Sequence, residues 1–333
     1  MPDEGKDALA FWLRAPGAGE IRSVPLRRPG PDEVLVRTLC SGVSRGTETL
    51  VFNGRVPVSQ YDVMRAPFQD GELPGPVKYG YLNVGVVEEG PPRLRGRTVF
   101  CLYPHQSAYV VPASAVTVVP EGVPAARAVL AGTVETAVNA LWQAQPLLGD
   151  RVAVVGAGMV GCCVARLLAR IPGVDVTLVD VDPGRAAAAA ALGARFALPT
   201  EAGGALDLVV HASATSSGLQ TSLDLLAPEG TVLELSWYGD SETSVRLGGA
   251  FHSGALTVRA SQVGMTASSR RGRRSPAERL ELALDLLRDP AFDVLLTGES
   301  PLEQLPEVMC RLSRGELPAL CHVVTYREAS CSA

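Results

Sequence analysis

Through the first third of the chain, apolar and polar residues alternate in short runs such as Val34-Leu-Val-Arg, Val84-Gly-Val-Val and Ala108-Tyr-Val-Val, each closed off by Gly and Pro clusters. Period-two runs between turn residues predict strands, so Glu33 to Val119 reads as an all-β domain. After Pro120 the period changes. Ala125 to Gln143 reads as a helix, Arg151 to Val155 as a strand, Val160 to Ile171 as a helix and Val174 to Val179 as a strand. The alternation continues with a helix over Arg185 to Leu192, a strand over Leu206 to Val210, a helix over Gly218 to Leu226 and a strand over Thr231 to Leu235. Strand, crossover helix and parallel strand in repetition predict a doubly wound α/β sheet. The remainder predicts a strand at Leu256 to Val263, helices at Pro276 to Leu287 and near Leu302 to Arg314, and a closing strand at Ala319 to Tyr326. A chain finishing with such elements is expected to return to its first domain.

Composition narrows the function classes. At 333 residues, the chain exceeds the size at which single cores stop growing, about 250 to 300 residues, so two domains are expected. A net charge of -5 gives no electrostatic footprint for a polyanion, so nucleic acid is not an expected partner. Arg270, Arg271, Arg273 and Arg274 sit among Ser, Gly and Pro residues and read as a solvated loop. The cysteines, Cys331 among them, number seven with no C-x-x-C pair and read as reduced thiols. The N-terminus, with Asp3, Glu4 and Lys6, has no apolar signal core, and the apolar stretch Val152 to Ile171 is interrupted by Arg166 and Arg170. The expectation is a cytoplasmic protein without a membrane partner.

The most specific local signal is Gly156-Ala-Gly-Met159-Val160-Gly161, placed between the strand 151–155 and a helix. In that context the first glycine permits a tight turn, the second lets backbone N–H groups approach a diphosphate, and the third lets the helix pack close to the strand. The helix N-terminus then faces the phosphates, with Met159 and Val160 in its first turn. Asp180 closes the next strand, 19 residues past Gly161. A carboxylate there suits a free ribose 2'-hydroxyl and repels a 2'-phosphate, so the expected cofactor is NAD. Asp182 and Arg185 are secondary candidates for the adenosine pocket, and the alternative role for Asp180 is to cap the Asp182-Pro-Gly turn.

Around that fingerprint the chain resembles the zinc alcohol dehydrogenase, or medium-chain dehydrogenase, family over nearly its whole length. The segment Glu33 to Glu48 is similar to the one that carries the first catalytic zinc ligand, and Ser44 stands where the family has cysteine. Tyr79-Gly-Tyr-Leu-Asn-Val-Gly-Val-Val resembles the family's Gly-His-Glu stretch, with Tyr81 at the ligand histidine and Leu82 at the glutamate. Gly132 falls at the third ligand position. The resemblance thus implies a family fold with no catalytic zinc, and the four-cysteine lobe of the structural zinc is missing as well. It further implies a GroES-like β-rich catalytic domain from residues 1–135 and 266–333, enclosing a Rossmann domain at 136–265. Ser-Gly-Val-Ser-Arg-Gly-Thr-Glu (41–48) and Val-Lys-Tyr-Gly-Tyr (77–81) look most like a zinc-less branch that includes bacteriochlorophyllide a dehydrogenase. That enzyme oxidises a 1-hydroxyethyl group, and the pigment substrate is not carried over.

Hydride transfer without zinc needs another group to stabilise charge on oxygen and a route for the proton. Tyr81 and Lys78 are the first candidates, the ammonium lowering the phenol's pKa, and Glu48 is a candidate base or anchor. Ser44, Tyr103 and His105 are expected at the substrate pocket, with Thr47 and Tyr79 as further donors. Tyr81 filling the volume of the lost metal and His105 serving structure are the bland readings. The resemblance places Thr136 near the nicotinamide. Ser236 and Trp237 follow a strand end, where ligands of such sheets bind. Glu135 is either a carboxylate near that ring or a helix-start residue.

Together these readings predict an NAD-dependent oxidoreductase that interconverts a secondary alcohol and a ketone on a specialised small-molecule metabolite. An enoyl or quinone reductase, commonly NADPH-dependent, and a non-catalytic nucleotide-binding protein are the alternatives. The strand Leu256 to Val263 resembles the edge through which relatives pair, so a homodimer is expected.

Overall fold

A computed structural model describes residues 7–326; Asp3, Glu4, Lys6 and Cys331 lie outside the described residues. The chain divides into two compact units, the first running to Gly132 and resuming at Leu296, the second spanning Thr133–Leu295.

Unit 1 begins with the antiparallel pair β1 (Asp7–Ala15) and β2 (Ala18–Pro25) and continues with the long β3 (Glu33–Val43). A helix, α1 (Arg45–Phe52), follows β3 directly. It departs from the all-β expectation because Val51 and Phe52 find burial on one helical face. Then come β4 (Asp70–Gly71), β5 (Val77–Lys78), β6 (Asn83–Glu89), β7 (Thr98–Cys101), β8 (Ala108–Pro112), β9 (Val116–Val118) and the single turn α2 (Ala125–Ala128). The next helix, α3 (Ala131–Ala144), leads into unit 2, so the expected helix over 125–143 is two pieces. Alternate residues of β3, among them Val34 and Val36, enter a core shared with Val99, Tyr109 and Val111.

Unit 2 runs through β10 (Arg151–Val155), α4 (Met159–Leu168), β11 (Asp175–Val179), α5 (Ala186–Ala191), β12 (Arg195–Ala197), β13 (Leu206–His211) and α6 (Ser216–Asp224). It continues with β14 (Leu226–Glu234), α7 (Ala250–Ser253), β15 (Thr257–Ala260) and α8 (Pro276–Leu286). All six strands are parallel, in the order β12-β11-β10-β13-β14-β15. The order reverses direction beside β10, the switch point at which such sheets bind ligands. β15 is shorter than expected, and β14 begins five residues earlier than the expected Thr231.

The chain then re-enters unit 1 with β16 (Leu296–Pro301), α9 (Leu305–Ser313) and β17 (Cys321–Thr325). β17 pairs antiparallel with β3, giving a sheet ordered β16-β17-β3-β6-β7-β9, with β8 also on β3. The return therefore starts at Leu296, not at residue 266. An ion pair explains why α8 stays in unit 2. Arg279 of α8, 2% exposed, donates to Glu135 Oε1 (3.0 Å), Asn139 Oδ1 (2.7 Å) and the carbonyl of Val263 (2.6 Å). Glu135 thus anchors α8 to α3. Burial pushes its pKa up, against the pull of Arg279. Among the described residues no helix is long and apolar enough to cross a membrane.

Removing one partner of such a pair leaves the other charge buried and uncompensated, at a cost of about 3–5 kcal/mol. Arg279→Met is expected to destabilise unit 2 by about that amount in urea denaturation, and adding Glu135→Gln is expected to recover a substantial part of it.

Candidate active site

In unit 1 the polar residues converge behind the end of β3. Ser44 follows that strand and its backbone N–H donates to Glu48 Oε1 (2.7 Å) across the first turn of α1. The other carboxylate oxygen, Glu48 Oε2, lies 2.9 Å from His105 Nε2. Both residues are almost wholly removed from water, Glu48 at 3% exposure and His105 at 1%. His105 Nδ1 is 2.7 Å from the hydroxyl of Ser41 on β3, and that hydroxyl is 2.7 Å from Tyr326 OH, just past β17. The pairing of β17 with β3 brings Ser41 opposite Val324 and so carries Tyr326 to it. Gly80 makes room for the imidazole: at φ +130° it has a conformation L side chains rarely adopt, and a Cβ there would meet His105 Cδ2 at 2.9 Å.

Tyr81 is half-buried beside this chain, and its phenol donates to Ser44 Oγ (2.7 Å). Burial first, and then the negative charge of Glu48, push the phenol's pKa up to about 12, while the hydroxyls of Ser44 and Thr47 pull it back. The expected effect of Lys78 on Tyr81 is therefore corrected: the charge acting on Tyr81 is the carboxylate's, and it acts in the opposite direction. Lys78 lies elsewhere, its ammonium on Gln106 Oε1 (2.8 Å), 3.7 Å from Asp70 and above the Tyr103 ring at 5.5 Å. Burial lowers its pKa, against the pull of Asp70. Tyr103, expected at the substrate pocket, is a core ring stacked on Tyr109 at 3.8 Å and packed against Phe68 at 5.4 Å. Tyr79 packs edge-on to Tyr81 at 6.2 Å.

The three positions that the resemblance assigns to zinc ligands hold no zinc donor set. Ser44 and Tyr81 are hydrogen-bonded to each other, and a Cβ on Gly132 would meet Leu82 Cδ2 at 2.7 Å. Leu82 thus packs hydrocarbon against Gly132, and neither residue offers the thiolate, imidazole or carboxylate that zinc takes.

In unit 2 the Gly-rich turn has the geometry of a dinucleotide cradle. Gly156 takes φ +109°, and a Cβ on it would come within 2.7 Å of the Ala212–Ser213 backbone. A Cβ on Gly161 would lie 1.9 Å from the Gly156 carbonyl oxygen, so the first turn of α4 closes directly on the Gly-rich turn. Gly158, the N-cap of α4, has open space beside it, with Met159 and Val160 as the helix's first residues. Asp180 accepts from the backbone N–H of Ala157 (2.7 Å) and of Asp182 (2.9 Å), so it ties the Gly-rich turn to the end of β11 and also closes the 182–184 turn. Each of its oxygens keeps a lone pair for a ribose hydroxyl. Arg185 Nε pairs with Asp182 Oδ2 at 3.2 Å. Ser236 Oγ accepts from Ala214 N–H (3.0 Å), and Thr136 is half-buried in α3. The cradle therefore fits a dinucleotide through backbone N–H groups and Asp180.

Sequence reasoning missed Ser41 and Tyr326 in unit 1, and His211, Ser213, Glu234 and Tyr238 in unit 2. A histidine closing the apolar strand Leu206–His211 was the one legible signal.

A family model described as ketopantoate reductase PanE/ApbA matches residues 152–226, from β10 to the start of β14. Solved structures match over almost the whole chain. An alcohol dehydrogenase from Thermus sp. ATN1 is 22% identical at a TM-score of 0.73, covering 96% of this chain and 100% of its own. A putative zinc-binding dehydrogenase from Sinorhizobium meliloti 1021, bound to NADP, is 17% identical at a TM-score of 0.75 over 96% and 99% of the two chains. The 2R,3R-butanediol dehydrogenase from Bacillus subtilis is 16% identical at a TM-score of 0.75, again over 96% and 99%. The chain has the fold of these dehydrogenases, an α/β architecture with a GroES-like β-rich domain and a Rossmann domain.

Removing the negative charge at Glu48 is expected to ease ionisation of the nearby phenol. In Glu48→Gln the ultraviolet titration of Tyr81, isolated by difference from the Tyr81→Phe variant, is expected to move down from about 12 by roughly one pH unit. An unmoved titration would show that burial alone holds the proton.

Proposed function

We propose that the chain is an oxidoreductase that interconverts a secondary alcohol and its ketone with a nicotinamide dinucleotide, NAD in preference to NADP, and without a catalytic zinc. The observation that carries this reading is the turn at 156–161, where glycine is required at Gly156 and Gly161 by close backbone approach while Gly158 leaves its backbone open. Backbone N–H groups there, at the positive end of α4, suit a diphosphate. Asp180 offers its remaining lone pairs to a ribose diol and would repel a 2'-phosphate. Arg185, the nearby cation, is already engaged by Asp182 and so is not offered to a 2'-phosphate. The bound cofactor supplies or accepts the hydride.

The chain's own contribution to the chemistry is a hydrogen-bond donor. With a pKa near 12, Tyr81 is a neutral phenol at physiological pH, so it donates to an oxygen on which charge develops. Ser44 is the partner it exchanges for that oxygen, and burial, with the Glu48 charge, keeps the phenol protonated until transfer. Lys78 and Tyr103 take no part, being held in the packed interior. The Thermus protein's name as an alcohol dehydrogenase and the Bacillus protein's as a butanediol dehydrogenase favour alcohol chemistry.

Titration of the metal-analysed protein by fluorescence tests this reading. NADH is expected to bind at least about tenfold more tightly than NADPH, and Asp180→Ala is expected to abolish the difference. Tyr81→Phe is expected to leave NADH affinity unchanged while slowing turnover of secondary alcohols by about 10²–10⁴-fold. A preference for NADPH would move the reading to an enoyl reductase, and stoichiometric zinc would overturn the metal-free site.

The same reading includes a homodimer. β15 is the edge of its sheet and all four of its residues are exposed, an open ladder suited to a second copy. Val258→Pro removes a ladder donor there and is expected to shift sedimentation from dimer to monomer. A wild-type monomer would sink the proposal.

A further inference from the structure

The carboxyl ends of β13 and β14 carry a buried polar chain that the chemistry above leaves unused. His211, the last residue of β13, has no exposed surface, and beside it Glu234 ends β14. Glu234 Oε1 accepts from Ser236 N–H (2.7 Å), while Oε2 accepts from Tyr238 OH (2.9 Å) and lies 2.8 Å from His211 Nδ1. Burial pushes the Glu234 carboxyl up, but the hydrogen bond and charge of His211, with Ser236, bring it below its ordinary value. On the far side of the ring, His211 Nε2 is 2.7 Å from Ser213 Oγ, which is 3.0 Å from Thr215 Oγ1. Thr215 caps α6 by accepting from Gly218 N–H (3.0 Å).

Counting donors fixes the direction of this chain. An ionised carboxylate only accepts, so Nδ1 carries a hydrogen, and in the neutral imidazole Nε2 is then a bare acceptor. Ser213 must donate to it and accept from Thr215, whose hydroxyl hydrogen points inward. When His211 takes up a proton, Nε2 becomes a donor. Ser213 then accepts from the ring and donates to Thr215, whose oxygen takes Ser213 and Gly218 as donors in place of the long contact from Ser217 Oγ (3.4 Å), and the Thr215 hydrogen turns outward. The loop that carries these hydroxyls is the one against which Gly156 packs, with the Ser213 N and Cα at 2.7 and 2.8 Å from a Cβ built there.

We propose that His211 is a positioning residue for the dinucleotide: by protonation it reverses the Ser213–Thr215 hydroxyl chain beside the Gly-rich turn, presenting an outward donor to an anionic ligand. Affinity for the dinucleotide therefore tightens as pH falls. The inference rests on the dinucleotide reading given above. The titratable groups facing His211 are Glu234 and Tyr238. The residue beside it on β10 is Val155, and the first turn of α6 near it is Ser216, Ser217 and Gly218, none of which titrates.

The test is the dissociation constant of NADH, measured by fluorescence from about pH 5.5 to 8.5. Wild type is expected to bind about fivefold or more tightly at the acid end, and both His211→Gln and Ser213→Ala are expected to flatten the profile. Ser213→Ala separates the relay from simple charge, because it leaves the His211–Glu234 pair intact, and it decides alone if His211→Gln fails to fold. A flat wild-type profile, or an undiminished slope in Ser213→Ala, overturns the inference while leaving the cofactor reading standing. No binding at any pH overturns both. Imidazole nitrogen resonances of the free protein give a second readout: hydrogen on Nδ1 of neutral His211 is expected, and hydrogen on Nε2 overturns the chain direction.

Discussion

A carboxylate taken out of water stays charged only where donors replace its hydration shell, and the polar groups of this protein are arranged around that requirement. In unit 1, Glu48 is supplied by the Ser44 N–H and His105. In unit 2, Glu234 is supplied by the Ser236 N–H, Tyr238 and His211. Each imidazole then has a second nitrogen to satisfy, and each finds a serine, Ser41 at 2.7 Å and Ser213 at 2.7 Å. The serine in turn needs a donor when the ring is neutral, and Tyr326 or Thr215 provides it. The same carboxylate–imidazole–hydroxyl order thus arises twice with the ring reversed, Nε2 facing the carboxylate in one unit and Nδ1 in the other.

Such chains need side chains to lie against backbone, and glycine supplies the space. A Cβ on Gly218 would fall 2.1 Å from Ser213 Oγ and 2.9 Å from His211 Nε2, so the first turn of α6 sits on the relay only because that position has no side chain. Gly80 plays the same part for His105. Both glycines are close-approach residues, and neither belongs to the fingerprint that drew attention to glycine in this sequence.

What was legible in the sequence follows from how far apart the interacting residues lie. The cradle is built from contiguous backbone, so Gly156, Gly158, Gly161 and Asp180 declare themselves by spacing, and the parallel sheet follows from its alternating periods. The unit 1 site is not local. Glu48 and His105 are 57 residues apart and Ser41 and Tyr326 are 285 apart, distances over which no pattern operates. Only the resemblance brought Ser44 and Tyr81 onto one page, and it said nothing of Ser41 or Tyr326. Lys78 misled because nearness in sequence was taken for nearness in space, whereas β5 ends at Lys78 and Gly80, at φ +130°, redirects the chain before Tyr81. The return point at Leu296 was missed for a similar reason, since the bond holding α8 in unit 2 joins residues 144 apart.

The sign of the charge near Tyr81 bears on the chemistry. A metal ion stabilises a developing oxyanion by positive charge and needs no proton to do so. Here burial first, and then the negative charge of Glu48, raise the phenol's pKa to about 12. Such a group cannot serve as a base at neutral pH, but it is a good donor that keeps its proton until an oxygen more basic than itself forms next to it. An alkoxide generated from a ketone meets that condition, so on the reading proposed above the phenol is matched to protonation in the reducing direction. Oxidation of the alcohol requires the proton to leave through the same group against that bias, and so becomes easier as pH rises toward the phenol's own pKa. Burial and the Glu48 carboxylate together therefore keep Tyr81 in the phenol form, available as a hydrogen-bond donor and seldom present as the phenolate that a base would need.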